Sequence, residues 1–295
     1  MSDTHITYSL STIDNPDFDN VREISENDFL RYSKYISELF KLSADENLFK
    51  IVELNYFELK QSIEKYTKNF ANGTSAGESA FAHMVLDVNR LILNYLSSIR
   101  TYLDHTETRL KRNSTNEFEE LKYFKQETAQ AYDNNFFYRF LYKLRNYSQH
   151  CGLPAATITF HSQEDQEGQP GNTLTLFLNR DELLNNFNSW GIVENELLNQ
   201  PEKFDIIPLV DKKFEILNKI NSKINSRIYS HFHKEGHELM DLIWASQEKK
   251  GIPCLIKTTD RGETATLSIV WFPFEAISKI TGVQININPT NNAHK

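Results

Sequence analysis

The chain of 295 residues is 39% hydrophobic and 24% charged, which is typical of a folded globular protein and excludes a disordered chain. Its net charge of −8 disfavours a protein that coats nucleic acid through a broad basic surface, although a local basic site is compatible with it. No run of about 18 apolar residues occurs and the N-terminus lacks the pattern of a secretory signal, so we expect a cytoplasmic protein that does not enter the membrane.

The first half of the chain is predicted to be helical. Within residues 1–24, which are polar, Ile6, Tyr8 and Leu10 alternate as in one short strand. Apolar residues at helical spacing follow, and Ser43 begins a capping-box pattern that predicts the start of a second helix. The five predicted helices cover about residues 25–40, 43–72, 78–112, 116–132 and 134–150.

In the second half, the apolar period changes from 3.6 to 2 after Pro154, which predicts strands. A helix is expected over 179–190, and a long helix has Pro208 in its first turn and is kinked or divided at Gly236. The two predicted β-hairpins pair 157–160 with 173–177, and 254–257 with 264–272.

These elements divide the chain into four parts. They are a polar N-terminal segment over 1–24, a helical bundle over 25–152, an α+β half over 153–288, and a flexible tail over 289–295. The predicted fold class is therefore mainly α, a helical bundle followed by an α+β half with two β-hairpins.

Three histidines and two cysteines are the candidate metal ligands of the chain. His233 and His237 are four residues apart and close to His231, but a zinc site normally adds a third ligand with proper geometry, so solvated or capping histidines are the favoured interpretation. Cys151 and Cys254 are too few for a disulfide framework or a zinc ribbon, and we expect reduced thiols. We therefore expect no metal and no cofactor.

An acid-free stretch runs from 134 to 163, where the composition of the chain would place about four acidic residues. On the fifth predicted helix, Arg139, Lys143, Asn146 and His150 fall within about 60° of one another. The opposite side carries the apolar residues Phe137, Phe140, Leu141 and Leu144. The pattern indicates a basic, imidazole-bearing stripe, and the alternative is a solvated polar face of a bundle helix.

The segment Arg145-Asn146-Tyr-Ser-Gln-His150 resembles the Arg-(four to six residues)-His motif of the HEPN superfamily, in which Asn, Asp or His commonly follows the arginine. The resemblance covers the bundle over 25–152, and its clear motif match lies at 139–154. It implies an α-helical bundle, a metal-independent endoribonuclease activity and a homodimer. Many members act in host defence or as toxins, so the resemblance extends to a neutralising or activating partner.

The spacing of arginine and histidine is not specific by itself. Two further pairs, Arg100–His105 and Arg227–His233, also have four to six intervening residues. The arginines of these two pairs are followed by Thr101 and Ile228, however. Of the three arginines, only Arg145 is followed by a residue that the family prefers.

The chemistry of RNA cleavage without metal suits these side chains. The ribose 2′-hydroxyl attacks the adjacent phosphate, which requires a base, an acid for the departing 5′-oxygen and stabilisation of the phosphate charge. An imidazole exchanges protons near neutral pH, so His150 can act as base or acid. Arg145 offers a fork of donors to phosphate oxygens, and Asn146 can hold the phosphate or orient the imidazole.

Four neighbours are candidates for substrate binding. Arg139 and Lys143 would guide the flanking RNA backbone, and Tyr142 or Tyr147 would stack a base.

The two main motif residues do not share one face of a continuous helix. Arg145 and His150 are five residues apart, which is about 140° around an ideal helix. Either the helix ends before His150, or two copies of the chain meet at a two-fold axis. The resemblance favours the second arrangement, and we expect a symmetric dimer with the fifth helix near its interface.

A second hypothesis is a catalytically inactive helical adaptor that binds a partner protein or a nucleotide. The two hairpins and the second helical half have no counterpart in a minimal HEPN member, so their role stays open.

Overall fold

The computed structural model describes residues 4–73, 77–112, 118–154, 157–164, 170–262 and 264–285. Within these ranges the chain is mainly helical with two small antiparallel sheets, which confirms the predicted mainly α class. The helices are α1 (Glu26–Ala71), α2 (Glu78–Arg112), α3 (Phe118–Asn134), α4 (Phe136–His150), α5 (Arg180–Asn186), α6 (Val193–Leu198), α7 (Ile207–Ser230), α8 (His233–Ala245) and α9 (Phe274–Thr281). The strands are β1 (His5–Asp14), β2 (Asp17–Glu23), β3 (Thr157–Glu164), β4 (Pro170–Asn179), β5 (Lys203–Asp205), β6 (Ile252–Asp260) and β7 (Ala265–Trp271).

The first sheet has the strand order β2-β1-β6-β7 and includes the N-terminal segment. β1 pairs antiparallel with β6, so that Leu10 lies opposite Leu255, and both side chains are buried in one core. The sequence predicts one short strand in this segment, but the structure has a second, β2. β2 is an edge strand whose residues are mostly exposed. It therefore lacks the apolar alternation from which a strand is predicted.

Helix α1 is continuous, whereas the sequence predicts two helices that meet at Ser43. The Ser43 hydroxyl donates a hydrogen bond of 3.2 Å to the carbonyl oxygen of Leu39. The side chain is therefore used inside the helix, four residues back, and the capping-box pattern does not start a helix. The prediction of a break at this position is wrong.

Helices α2, α3 and α4 follow the prediction closely. The predicted range 78–112 is the observed range of α2, and α3 and α4 each begin two residues later than expected. Asp133, which directly precedes the predicted start of the fifth helix, lies inside α3. The cap position of α4 is Asn135, whose amide donates to the carbonyl oxygen of Ala131 and caps no backbone N–H of α4.

Both predicted β-hairpins are confirmed. β3 pairs with β4, with Ile158 opposite Leu176, and β6 pairs with β7, with Ile256 opposite Ile269. β5 adds a third strand to the first of these pairs. The helix predicted over 179–190 is shorter and ends at Asn186.

The long helix of the second half is divided before Gly236 and not at it. α7 begins at Ile207 with Pro208 in its first turn, as predicted, and ends at Ser230, after which α8 begins at His233. Gly236 lies in the first turns of α8, against α9. A Cβ atom at this position would lie 2.5 Å from Cγ2 of Ile280, so the glycine permits a close approach of the two helices.

The chain forms two compact units. The central unit comprises residues 48–224, and the terminal unit comprises residues 1–47 and 225–295. The sequence predicts a boundary between 152 and 153, but this position lies inside the central unit. The terminal unit joins both parts of the chain because β1 pairs with β6, a long-range contact that local periodicity does not reveal. The predicted flexible tail over 289–295 lies outside the described residues.

Candidate functional site

Helix α4 carries the motif and is held in the central unit by aromatic packing. It contacts α2, α3 and α6. The ring of Phe140 stacks on Trp190 with ring centres 5.8 Å apart, and Tyr147 stacks on the same indole at 6.0 Å. The buried side chains of α4 are Tyr138, Arg139, Phe140, Leu141, Leu144 and Tyr147. These contacts fix the rotation of the helix, and Arg145, Asn146 and His150 are not among its buried residues.

The motif residues differ in exposure. Arg145 and Asn146 are half-buried, and His150 is exposed as the last residue of α4. The Nε atom of Arg145 is buried and has no hydrogen-bond partner among the described residues. Because α4 is continuous through His150, Arg145 and His150 point about 140° apart around the helix axis. A single copy of the chain does not bring the guanidinium and the imidazole together.

Arg139 has a structural role instead of the expected contact with substrate. The side chain is buried, and its Nε and Nη2 atoms donate to the two carboxylate oxygens of Glu196 at 3.1 and 2.5 Å. Nη1 donates to the carbonyl oxygens of Tyr132 and Asp133, which end α3. The hydrogen bonds that Arg139 donates to Glu196 raise the pKa of Arg139. The guanidinium therefore ties α3 to α6 and is not presented to a ligand.

Two further candidates are also engaged by the fold. Tyr147 is 5% exposed and lies between Trp190 and Phe187, whose ring it contacts edge-on at 6.2 Å. This ring has no open face for a base. The ammonium of Lys143 donates to the carbonyl oxygen of Ser189 at 2.8 Å, and the residue is half-buried, so it retains donors for one further contact.

Tyr142 is the aromatic candidate that lies near the surface, and it is held by a residue that the prediction omitted. Nη1 of Arg100, on α2, donates to the Tyr142 hydroxyl at 3.3 Å, and the guanidinium carbon lies 5.5 Å from the ring centre. Tyr132 contacts the same ring edge-on at 6.3 Å. In the sequence, Arg100 belongs to an Arg-(four residues)-His spacing, but the residue after it is Thr101 and not the Asn, Asp or His of the motif.

The acid-free stretch yields a smaller positive surface than its composition suggests. The charge of Arg139 is matched by Glu196, and that of Arg100 by Asp104, whose carboxylate lies 2.8 Å from Nε. Among the described residues, Arg145 and Lys143 have no ion-pair partner. The net positive charge of the site is therefore concentrated at the motif itself.

Two histidines of α8, His233 and His237, lie against each other. The rings of His233 and His237 stack with centres 4.1 Å apart, and Nδ1 of His237 lies 2.7 Å from the carbonyl oxygen of His233. No group of three or more potential metal ligands occurs in the described ranges. Cys151 is exposed, Cys254 is buried, and both are free thiols.

Comparison with known proteins found no matching family model, no matching curated protein and no matching solved structure. Over the part of the chain that the structure describes, no helix is both long enough and apolar enough to span a bilayer.

Proposed function

We propose that this chain is a metal-independent endoribonuclease of the HEPN type that acts as a homodimer. The observation that supports this best is the different use of two arginines on α4. Arg139 is saturated by Glu196 and by helix carbonyls, whereas Arg145, six residues later, has an Nε atom without a partner in the described ranges. Arg145 also has no ion-pair partner in the described ranges, so its charge can be matched by phosphate oxygens.

The proposed reaction is an internal phosphoryl transfer. An imidazole of His150 removes the proton from the ribose 2′-hydroxyl, whose oxygen attacks the adjacent phosphorus. The bond to the 5′-oxygen breaks, and a second imidazole donates a proton to that leaving group. The products are a 2′,3′-cyclic phosphate and a 5′-hydroxyl. Arg145 stabilises the charge of the pentacoordinate phosphate, and Asn146 holds the phosphate or orients the imidazole.

The dimer is a requirement of this mechanism. Since α4 continues through His150, one copy keeps the guanidinium and the imidazole on different faces of the helix. Two copies related by a two-fold axis can place the α4 helices side by side, so that both imidazoles and both guanidiniums line one cleft. The resemblance also suggests a defence or toxin role, with a neutralising or activating partner.

A helical adaptor without catalytic activity is the second candidate function. It is favoured by the structural use of three of the seven predicted site residues, namely Arg139, Lys143 and Tyr147. An adaptor would need only the surface of α4, and not the convergence of Arg145 with His150.

Cleavage of RNA in excess EDTA tests the proposal. Wild-type protein, Arg145→Ala and His150→Ala are incubated with total RNA, and the ends of the fragments are analysed. His105→Ala is the matched control, because this exposed histidine of α2 belongs to a second Arg-(four residues)-His spacing. Circular dichroism verifies that each variant folds.

We expect wild type and His105→Ala to cleave alike and to leave cyclic phosphate ends. Removal of the acid–base group is expected to lower the rate at least about 100-fold in His150→Ala. Equal inactivity of all four proteins on RNA, together with a folded state for each, would exclude a nuclease that acts without an activating partner and would favour the adaptor.

A further inference from the structure

Arg100 and Tyr142 lie together on the surface of the central unit although they come from different helices. The hydrogen bond of 3.3 Å between them, the ion pair of Arg100 with Asp104 and the edge contact of Tyr132 with the ring hold both side chains in place. The side chain of Arg100 is nevertheless 39% exposed and that of Asp104 is 51% exposed. An ion pair this exposed is weak, so a phosphate can compete for the guanidinium.

Tyr142 also lies directly beside the motif. It precedes Arg145 by three residues and Asn146 by four, so both side chains lie about one turn from Tyr142, roughly 60° to one side of it and 40° to the other. Arg100 contacts Tyr142 from α2. The resulting patch of Arg100, Tyr142, Arg145 and Asn146 combines two guanidiniums, one aromatic ring and one amide, and we call it the nucleotide patch.

We propose that the nucleotide patch binds the nucleotide next to the scissile phosphate, with Arg100 on its phosphate and Tyr142 against its base. This inference rests on the proposed function. Arg100 has five N–H donors, of which one on Nε faces Asp104 and one on Nη1 faces Tyr142, so donors remain for phosphate oxygens. The guanidinium of Arg100 lies over the Tyr142 ring, with its carbon 5.5 Å from the ring centre, so the base would stack on the face of the ring that Arg100 leaves uncovered.

The test measures binding of a short single-stranded RNA to folded protein over a range of salt concentrations. All variants are made in the His150→Ala background, so that cleavage does not consume the probe. Arg90→Ala is the matched control, because Arg90 lies on the same helix, is 49% exposed and is paired with Asp87 at 2.8 Å.

We expect Arg100→Ala to weaken binding about 10-fold and to reduce the slope of log K against log salt by about 0.7, the value for one lost phosphate contact on a single strand. Arg100→Lys should retain most of that slope because it keeps the charge. Tyr142→Ala should weaken binding by about 5- to 100-fold through lost stacking, with the salt slope unchanged. Arg90→Ala should bind like the His150→Ala parent.

In the cleaving protein, Arg100→Ala should raise KM and leave kcat nearly unchanged, since it removes a contact that substrate and transition state share. The inference is overturned if Arg100→Ala keeps the affinity and the salt slope of Arg90→Ala while wild type cleaves RNA, and in that case the nuclease stands. If Arg100→Ala weakens RNA binding but wild type cleaves no RNA, the result supports the nucleotide patch and contradicts the nuclease activity. Absence of both binding and cleavage overturns both.

Discussion

The ammonium of Lys213 lies 4.7 Å from the centre of the Tyr138 ring and donates a hydrogen bond of 3.3 Å to the Tyr138 carbonyl oxygen. Lys213 is 2% exposed, and no carboxylate pairs with it among the described residues. The Tyr138 hydroxyl is buried and likewise has no hydrogen-bond partner within the described ranges. A lysine is thus enclosed between α7 and α4 with one carbonyl and one ring as its polar partners, and its charged form is poorly stabilised.

Stability should therefore depend on pH through Lys213. Burial lowers the pKa of Lys213 from 10.5 to about 7. Between these values the unfolded chain binds a proton that the folded chain has released, so the free energy of unfolding rises as the pH rises. Below about pH 7 both states are protonated, and the folded state bears the full penalty of a buried ammonium. The total change is at most about 5 kcal/mol.

Denaturant unfolding of Lys213→Met between about pH 6 and 9.5 measures this effect. The variant should be more stable than wild type at the acidic end and should lose the pH slope, whereas Lys219→Met, at an exposed position of the same helix, should keep it. The pH range ends at about 9.5 because Tyr138 affects stability at higher pH. Burial raises the pKa of Tyr138, so above the ordinary pKa of tyrosine the unfolded chain loses a proton that the folded chain keeps, and the free energy of unfolding falls. Identical slopes in wild type and Lys213→Met would contradict the prediction.

Replacement of Arg139 should destabilise the fold without weakening RNA binding. Arg139→Ala leaves the carbonyl oxygens at the end of α3 and the carboxylate of Glu196 without their donor, for an expected loss of roughly 3 kcal/mol. A double-mutant cycle with Glu196→Gln in thermal or urea unfolding should give a coupling of about 1 kcal/mol or more. If folded Arg139→Ala keeps its stability but loses RNA affinity, Arg139 contacts the substrate and the prediction is wrong.

Because α8 and α9 approach closely at Gly236, we expect Gly236→Ala to lower the stability of the fold. In an open helix Gly→Ala stabilises by roughly 1 kcal/mol, but here the new Cβ would clash with Ile280, and a net loss of about 1–3 kcal/mol is expected. Because Ile280→Ala removes the clashing atoms, Gly236→Ala combined with it should lose less stability than the sum of the single variants. Strict additivity in unfolding experiments would show that the two residues do not interfere.

The dimeric site can be tested by dilution with an inactive subunit. Wild-type protein and His150→Ala are mixed in varying proportions at constant total concentration and allowed to exchange subunits. If each cleft needs both imidazoles, mixed dimers are inactive, and activity falls with the square of the wild-type fraction, to about a quarter at an equal mixture. A linear fall would mean that one copy suffices, and a monomer in light scattering would contradict the proposed dimer directly.

Several elements could be predicted from the sequence because their signals are local. Helix α2 has an apolar stripe between a glycine-containing stretch and a basic last turn, and its range is observed as predicted. Both hairpins have alternating residues around turn sequences. The continuity of α1 at Ser43 was missed because the same side chain satisfies a capping pattern and an internal hydrogen bond to Leu39 equally well.

What the sequence determined by itself is the mainly helical class, the basic character of α4 and the position of the Arg145–His150 motif. Only the tertiary structure decided which of those basic residues are paired within the fold and which can still contact a ligand. Glu196 neutralises Arg139 from 57 positions along the chain, and Arg100 reaches Tyr142 from 42 positions away. Periodicity describes which face of an element is buried, but it contains no information on which distant side chain will meet that face. Partners of this kind are determined by how helices pack, and so the composition of the site emerges only in the folded chain.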